Sequence, residues 1–354
     1  MAQEPPAIEA WLTALPGAAD LPFWPPPTAL YSVAKLHNGL SLDDPAPWRN
    51  TWDTTVFNWT LGPDGRPRSL DAAEAVATRL HDAAMDRLVC DYVDHRNSAT
   101  IGFMGGHDVL RTEVAYARVA RIARELRRRG FKIVTGGGPG LMEAANFGAF
   151  LAPHGEDEFG AAIEILRTAP DYGSSQDPAT AEQQKSGWIH SAAEVRKTLL
   201  GGWDAQTGQG GDSLGIPTWY YGSEPPNLFA SMSGKYFENS LREDGLVSVA
   251  NGGLVFGKGS AGTVQEVFQN ANYNYYRGEA VAATPMVFLD IDFWNPGPIT
   301  DAAAGAPLDP KRIPVFPLIE KLSANATPRL RPGSCCRTTP LRSRSSSAHR
   351  TASA

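Results

Sequence analysis

Residues 252–266 read GGLVFGKGSAGTVQE, and the predicted fold is organised around them. A short apolar run is followed by glycines at 257, 259 and 262, and then by a helical pattern that carries Glu266 in its first turns. Free backbone N–H groups and the positive end of a helix dipole attract anions, and glycine lets a ligand approach the backbone. The stretch therefore predicts a strand, a phosphate-sized loop and a helix. The residues expected to hold the anion are Gly257, Gly259, Ser260, Gly262 and Thr263.

A second glycine loop belongs to a predicted strand, helix and strand unit. A buried-strand pattern at 99–104 ends in glycines, a helical pattern covers 112–129, and the next strand is predicted at 131–135. This order predicts a right-handed crossover and a parallel sheet with helices on both faces, a Rossmann-like α/β fold. Ligands of such sheets bind beyond the carboxyl ends of the strands, where both glycine loops are expected. The glycines of the second loop are Gly136, Gly137, Gly138 and Gly140.

Weaker patterns predict the other elements of the main domain. Apolar residues recur at helical or strand spacing between segments rich in glycine, proline and polar residues, including a polar loop at 172–184. The predicted elements are helices at 70–92, 158–166, 189–200, 227–244 and 317–322, and strands at 214–221 and 285–289.

The two ends of the chain differ in composition from the main domain, which is predicted at 71–322. Residues 1–70 are rich in proline and tryptophan, which disfavours regular helix and favours an extended arm packed on the core. Residues 323–354 are rich in Ser, Arg, Thr and Pro and have no apolar periodicity. Such a segment cannot bury enough apolar surface to offset its conformational entropy, so we expect a disordered basic tail.

The overall composition is that of an ordinary globular protein. The 354 residues are 42% hydrophobic and carry a net charge of −6, which disfavours binding to a polynucleotide. No apolar stretch reaches the length of a membrane span, and the first residues lack the pattern of a secretory signal. The three cysteines form neither a disulfide framework nor a zinc motif, and no other group has metal-ligand spacing. We therefore expect a cytoplasmic protein with no metal and no cofactor.

The two glycine loops together resemble the motifs of the LOG family, the Rossmann-like nucleotide phosphoribohydrolases often labelled lysine decarboxylase-like. The family pattern is GGGxxGLM followed by PGGxGTxxE, and here the motifs read GGGPGLM at 136–142 and KGSAGTVQE at 258–266. Two ordered motifs are more specific than either glycine loop alone, and the resemblance covers residues 97–322. It implies hydrolysis of the N-glycosidic bond of a nucleoside 5′-monophosphate, giving free base and ribose 5-phosphate. It also implies a homodimer or higher homo-oligomer.

Glu266 is the residue expected to act on the sugar. Cleavage of the N-glycosidic bond builds positive charge on the sugar ring, so a carboxylate beside the ring stabilises the transition state or orients water. A structural alternative is a capping box, because Thr263 and Glu266 match the S/T-x-x-E pattern. Glu143, three residues after Gly140, is interpreted as a helix-start residue favoured by the dipole.

The chain departs from the family pattern at several positions. Lys258 stands where the family has proline, and Ser260 stands where it has the second glycine. The family also places a catalytic arginine three residues after a methionine, and Lys235 occupies that position here. Lysine keeps the positive charge but lacks the planar fork of arginine. Arg242, two turns further on, is the second candidate for the catalytic cation.

Other functions stay open on the residues alone. Residues 257–262 also match GxGxxG, the fingerprint of dinucleotide sites, but that motif normally opens its fold and only one strand is predicted after it here. A non-catalytic carrier of a nucleotide or a pterin cofactor on the same scaffold is the main alternative. No lysine has a recognisable Schiff-base context for pyridoxal phosphate. His107, after the first strand of the domain, is a further candidate for the cleft.

Overall fold

The described residues of the computed structural model are 21–95, 99–208, 210–220, 226–277, 283–294 and 312–324. Within them, seven strands form one sheet. Most of the predicted tail, from residue 325 on, and the first 20 residues of the predicted arm lie outside the described ranges. The strands are β1 (Tyr31–Ser32), β2 (Thr100–Met104), β3 (Lys132–Thr135), β4 (Ser213–Gly215), β5 (Met232–Ser233), β6 (Gly253–Phe256) and β7 (Met286–Phe288).

The strand order across the sheet is β1-β5-β4-β3-β2-β6-β7. All neighbouring strands are parallel except β1, which pairs with β5 in the antiparallel direction. The chain leaves β2 towards β3 and later returns on the other side of β2 as β6, so the order reverses between these two strands. Ligands of parallel sheets bind at such a switch point. The expected parallel α/β sheet is confirmed, and this topology is consistent with a Rossmann-like fold.

Helices cover both faces of the sheet. None of those in the described part of the chain is long and apolar enough to cross a membrane. The helices are α1 (Val33–Leu36), α2 (Trp52–Trp59), α3 (Ala72–His95), α4 (Val114–Arg128), α5 (Leu141–Phe150), α6 (Glu156–Arg167), α7 (Pro178–Leu200), α8 (Asn239–Val249), α9 (Ala261–Tyr276), α10 (Ile291–Trp294) and α11 (Phe316–Ala324).

Alternating side chains of the strands build two apolar cores. On β6, Leu254 and Phe256 are buried on one face with side chains of α3, α8, α9 and α11. Val255 is buried on the opposite face with side chains of α4, α5, α6 and α7. Because both faces are covered, apolar residues are favoured on both sides of a central strand, and the sequence of β6 is a continuous apolar run.

The described part of the predicted arm packs on the core and is not simply extended. Residues 21–30 carry four prolines and contain no helix, and Phe23 among them is buried. Beyond them β1 joins the sheet, and the side chains of Ser32 and Thr51 cap the starts of α1 and α2. Proline therefore excludes helix only locally, and side-chain caps allow short helices in the rest of the arm.

The predicted helix over 227–244 is wrong in its first half. Residues 232 and 233 form β5 instead, and α8 begins only at Asn239. β5 pairs with β4, whose backbone groups would otherwise lack partners, and the N–H of Gly234 donates to the carbonyl of Gly215 at 2.9 Å. As a consequence, Arg242 lies in the first turn of α8 rather than at the end of a longer helix.

Two other boundaries differ from the prediction. The strand expected at 214–221 ends at Gly215, ahead of Pro217, which has no N–H for a ladder. The polar loop expected at 172–184 stops at Asp177, whose side chain accepts a hydrogen bond from the backbone N–H of Thr180 and caps α7. Proline at the first position of α7 favours this early start, because the N–H that proline lacks would have no acceptor within the helix.

Candidate functional site

A cleft opens beyond the carboxyl ends of β2 and β6, at the point where the strand order reverses. Its volume is about 300 Å3. Residues 103–107 after β2 and residues 260–263 at the start of α9 form two of its walls. Gly136 and Met142 form a third wall, and the side chains of Arg242, Glu243 and Glu266 also line it. His107 is among the lining residues, as the sequence suggested. Both glycine loops therefore contribute to one cleft.

The start of α9 forms the most open wall of the cleft. Ser260 is the N-cap residue, its side chain makes no capping hydrogen bond, and residues 260–262 are exposed. A Cβ added to Gly262 would meet nothing within 4 Å. The N–H groups of a first helical turn have no acceptor within the helix, so they are available to an anion in the cleft. Of the residues expected to hold an anion, Ser260, Gly262 and Thr263 line this wall.

Gly257 and Gly259 shape the loop and do not line the cleft. A Cβ on Gly257 would overlap Cδ1 of Leu141, and a Cβ on Gly259 would overlap the side chain of Thr263. These glycines therefore allow β6 to approach α5 and the loop to fold back on α9. Lys258, between them, has its ammonium group 5.9 Å from the centre of the Phe293 ring.

The second glycine loop contributes through Gly136. A Cβ on Gly136 would overlap Nη2 of Arg242, so glycine is required for the guanidinium to reach this position. The carbonyls of Gly137 and Gly138 accept hydrogen bonds from the Asn227 side chain, and both residues are buried outside the cleft. Gly140 has a φ of 67° and packs against the carbonyls that follow β2, where no side chain fits. Only one of the four glycines lines the cleft itself.

Arg242 is the cation of the cleft. Its side chain is almost buried, and its Nε donates to the carbonyl of Ile216 at 2.7 Å. Nη1 donates to Oε1 of Glu243 at 2.6 Å, and Nη2 lies beside the carbonyl of Gly136 at 3.4 Å. These contacts fix the planar group from three directions. The guanidinium is therefore held in a single orientation at the cleft floor.

Two carboxyl groups lie beside this arginine, that of Glu243 on α8 and that of Glu266 on α9. The residues are 2% and 6% exposed, so both acids are largely removed from water. Burial raises the pKa of Glu266 well above its usual range, and the negative charge of the neighbouring Glu243 raises it further. The charge of Arg242 acts in the opposite direction. Burial therefore favours the protonated form of Glu266.

The capping-box interpretation of Glu266 is wrong. The N-cap of α9 is Ser260, so Thr263 is the third residue of the helix and its side chain cannot serve as the cap. A capping-box acid lies three residues after the cap, whereas Glu266 lies six residues after Ser260. The carboxyl of Glu266 instead meets Glu243 in the cleft.

We expect Glu266→Gln to change how stability depends on pH. A carboxyl whose pKa is raised by folding stabilises the native state fully below its unfolded pKa of about 4.3, and this contribution is lost as pH rises through the raised value. The wild type should lose stability relative to the variant by up to about 1.4 kcal/mol per pH unit in that window. Urea unfolding of both proteins between pH 5 and 9 measures this difference. If the free energy of unfolding depends on pH in the same way for both proteins, burial does not raise the pKa of the Glu266 carboxyl.

Lys235 does not lie in the cleft. Its ammonium group forms an ion pair with Oδ1 of Asp53 at 2.6 Å and lies 5.3 Å from the centre of the Trp219 ring. Asp53 also accepts a hydrogen bond from Trp219, and all three residues are buried. Of the two cations expected from the sequence, only Arg242 lines the cleft. The position of Lys235 follows from the loop between β5 and α8, which the helix prediction had missed.

Glu143 forms hydrogen bonds within the protein and does not line this cleft. It is fully buried and accepts hydrogen bonds from Arg111, Tyr116 and Trp188. The residue is in the first turn of α5, in agreement with the sequence interpretation, and the bidentate arginine accounts for its burial. It therefore stabilises the packing of α5, α4 and α7 beneath the glycine loop.

No family model matches the chain. A comparison with curated proteins also gave no match. The resemblance to the LOG family therefore rests on the two glycine motifs. Among the described residues, no group of three or more His, Cys, Asp and Glu side chains is placed to hold a metal ion.

Glu243 is a side chain of the cleft that the sequence analysis did not single out. It follows Arg242 directly and lies near the end of the helix predicted at 227–244. The sequence offered no local signal for it, because adjacent residues on a helix do not usually share a face. Here both are buried and both line the cleft, since α8 begins only three residues before Arg242.

Proposed function

We propose that the protein hydrolyses the N-glycosidic bond of a nucleoside 5′-monophosphate and releases the base and ribose 5-phosphate. The observation that carries the proposal is the meeting of the uncapped start of α9 and the buried Glu266 carboxyl in one cleft. Glu266 lies four positions after Gly262, about 6 Å along the helix axis, which is the same order as the span of a ribose 5-phosphate. A phosphate at the helix start would therefore present its sugar to Glu266.

The charges of the cleft suit this reaction. The open N–H groups and the dipole of α9 favour a phosphate at one end. At the other end, Arg242 balances the charge of Glu243, and Glu266 becomes a negative carboxylate beside the sugar once it has given up its proton. Positive charge develops on the sugar ring as the base departs, and a preorganised negative group stabilises it. Met104 and Met142 also line the cleft and provide apolar surface for a flat base.

The test is turnover of a panel of purine and pyrimidine nucleoside 5′-monophosphates. Free base and ribose 5-phosphate should appear in equal amounts, and the matching nucleosides should react far more slowly because they lack the phosphate. Tight binding without turnover would instead support the nucleotide or pterin carrier. A preference for NAD(H) over every monophosphate would support a dinucleotide site.

The start of α9 is tested by Gly262→Asp. We expect KM for the monophosphate to rise about tenfold or more, because an added carboxylate repels the phosphate at short range. The protein should keep its stability or gain slightly, since an acid in the first helical turn is favoured by the dipole. Steady-state kinetics and thermal unfolding measure the two effects.

Gly262→Ala is the matched control for that substitution. Nothing lies within 4 Å of an added Cβ at this position, so alanine should leave KM almost unchanged. If the aspartate variant binds the monophosphate as well as the alanine variant does, the phosphate does not lie at the start of α9.

A further inference from the structure

One oxygen of the Glu243 carboxyl lacks a hydrogen-bond donor in the cleft. Its Oε1 accepts a hydrogen bond from Arg242, but its Oε2 is buried and has no hydrogen-bond donor among the described residues. A buried carboxylate oxygen without a donor costs free energy, and natural proteins rarely leave one. Glu243 lines the cleft, so the unsatisfied oxygen belongs to the candidate site rather than to the packing of α8.

The neighbouring carboxyl of Glu266 supplies the missing donor when it is protonated. With both groups ionised, two buried negative charges would face each other and only one would be paired with Arg242. With one proton on Glu266, its hydroxyl can donate to Glu243, and Arg242 balances the remaining charge. The pKa of Glu266 is raised by burial and then by the charge of Glu243, which agrees with this arrangement.

Few other ionisable groups face the pair. Arg242 on α8 and His107 after β2 are the other ionisable side chains that line the cleft in the described residues. Helix α11 packs against α9, and its Glu320 and Lys321 are exposed. Lys258, just before the loop, lies with its ammonium group over the Phe293 ring. The protonation of Glu266 is therefore governed mainly by burial, Glu243 and Arg242.

We propose that Glu243 and Glu266 share one proton, and that Glu243 acts as a positioning residue that keeps this proton on Glu266 for delivery to the leaving base. This role rests on the proposed hydrolysis. As the bond from C1′ to the base nitrogen breaks, its electron pair stays on the base, which takes the proton from Glu266. Water then adds its oxygen to C1′, and the proton it loses returns to the Glu266 carboxylate. Each cycle therefore restores the singly protonated pair.

The pH profile of Glu243→Gln tests the inference. Removal of the Glu243 charge should lower the pKa of Glu266, so the alkaline limb of kcat/KM should move to lower pH by about one unit or more. Glu243→Asp keeps the charge and should keep the limb near its wild-type position. Exposed Glu194→Gln is the control for loss of a carboxylate elsewhere and should change nothing. A uniform loss of activity without a shift of the limb would reduce Glu243 to a structural residue and overturn the inference.

A second measurement does not depend on turnover. In wild-type protein labelled with carboxyl-13C glutamate, one resonance should titrate well above the usual range, disappear in Glu266→Gln and titrate at lower pH in Glu243→Gln. Thermal unfolding establishes that each variant is folded. If no resonance titrates at raised pH, the shared proton is refuted whatever the activity. If one resonance does titrate at raised pH but no monophosphate is hydrolysed, the shared proton is supported, whereas the proposed function and the catalytic use of the proton are refuted.

Discussion

Glu266→Gln is expected to lower kcat for a nucleoside 5′-monophosphate by about 10³-fold, within the range seen when a catalytic acid or a preorganised charge is removed. The amide has nearly the shape of the acid but can neither transfer a proton to the base nor carry the charge that stabilises the sugar ring. Binding should change by less than about threefold, since the phosphate is held at the start of α9 and not by this side chain. Single-turnover kinetics with base release and equilibrium binding separate the two quantities.

The exposed substitution Glu194→Gln provides the control, because it removes one carboxylate without touching the cleft. Thermal unfolding of each protein excludes a loss of fold as the cause. A Glu266→Gln protein that is folded and turns over at the wild-type rate would remove Glu266 from the reaction, and the cleft would then be only a binding site.

Lys235→Met is expected to lower the free energy of unfolding by about 3–5 kcal/mol, because it leaves Asp53 as a buried charge without its partner. The ammonium group is almost completely buried and lies 2.6 Å from the Asp53 carboxylate, far from bulk water that could replace it. The catalytic rate of the folded protein should stay within about twofold of wild type, since Lys235 does not line the cleft. Urea unfolding and kinetics at a temperature where the variant is folded measure the two effects.

The double substitution Asp53→Asn with Lys235→Met removes both charges and is the matched control. Replacement of a whole buried pair is often close to neutral, so the double variant should recover most of the lost stability. A stable Lys235→Met protein that has lost turnover would contradict the assignment and make Lys235 the catalytic cation in place of Arg242.

The central part of the sheet could be predicted from the sequence because its signals are local. Strands β2, β3 and β6 are covered on both faces, so each has a buried core of apolar residues, and each is followed directly by glycines that mark the end of the strand. The convergence of the two glycine loops also followed from topology alone, since carboxyl ends of parallel strands share one edge of the sheet. Gly136 and residues 260–263 meet there as expected.

The placement of Arg242, Glu243 and Lys235 could not be predicted, because it depends on a contact distant in the sequence. Residues 232 and 233 have apolar neighbours at helical spacing. They form a strand because they pair with the edge of β4. Because of that pairing, α8 starts later than predicted, and the positions of all three charged side chains differ from the prediction accordingly. The ion pair between Lys235 and Asp53 joins the arm to the main domain. Nothing in the sequence around either residue indicates this pairing.

The most direct test of the central claim is the structure of the Glu266→Gln protein with a bound nucleoside 5′-monophosphate. The account predicts phosphate oxygens within hydrogen-bond distance of the backbone N–H groups at the start of α9, near Gly262. It also predicts the anomeric carbon beside residue 266, with the base against Met104 or Met142. A phosphate held elsewhere, or a sugar whose anomeric carbon faces away from residue 266, would contradict it.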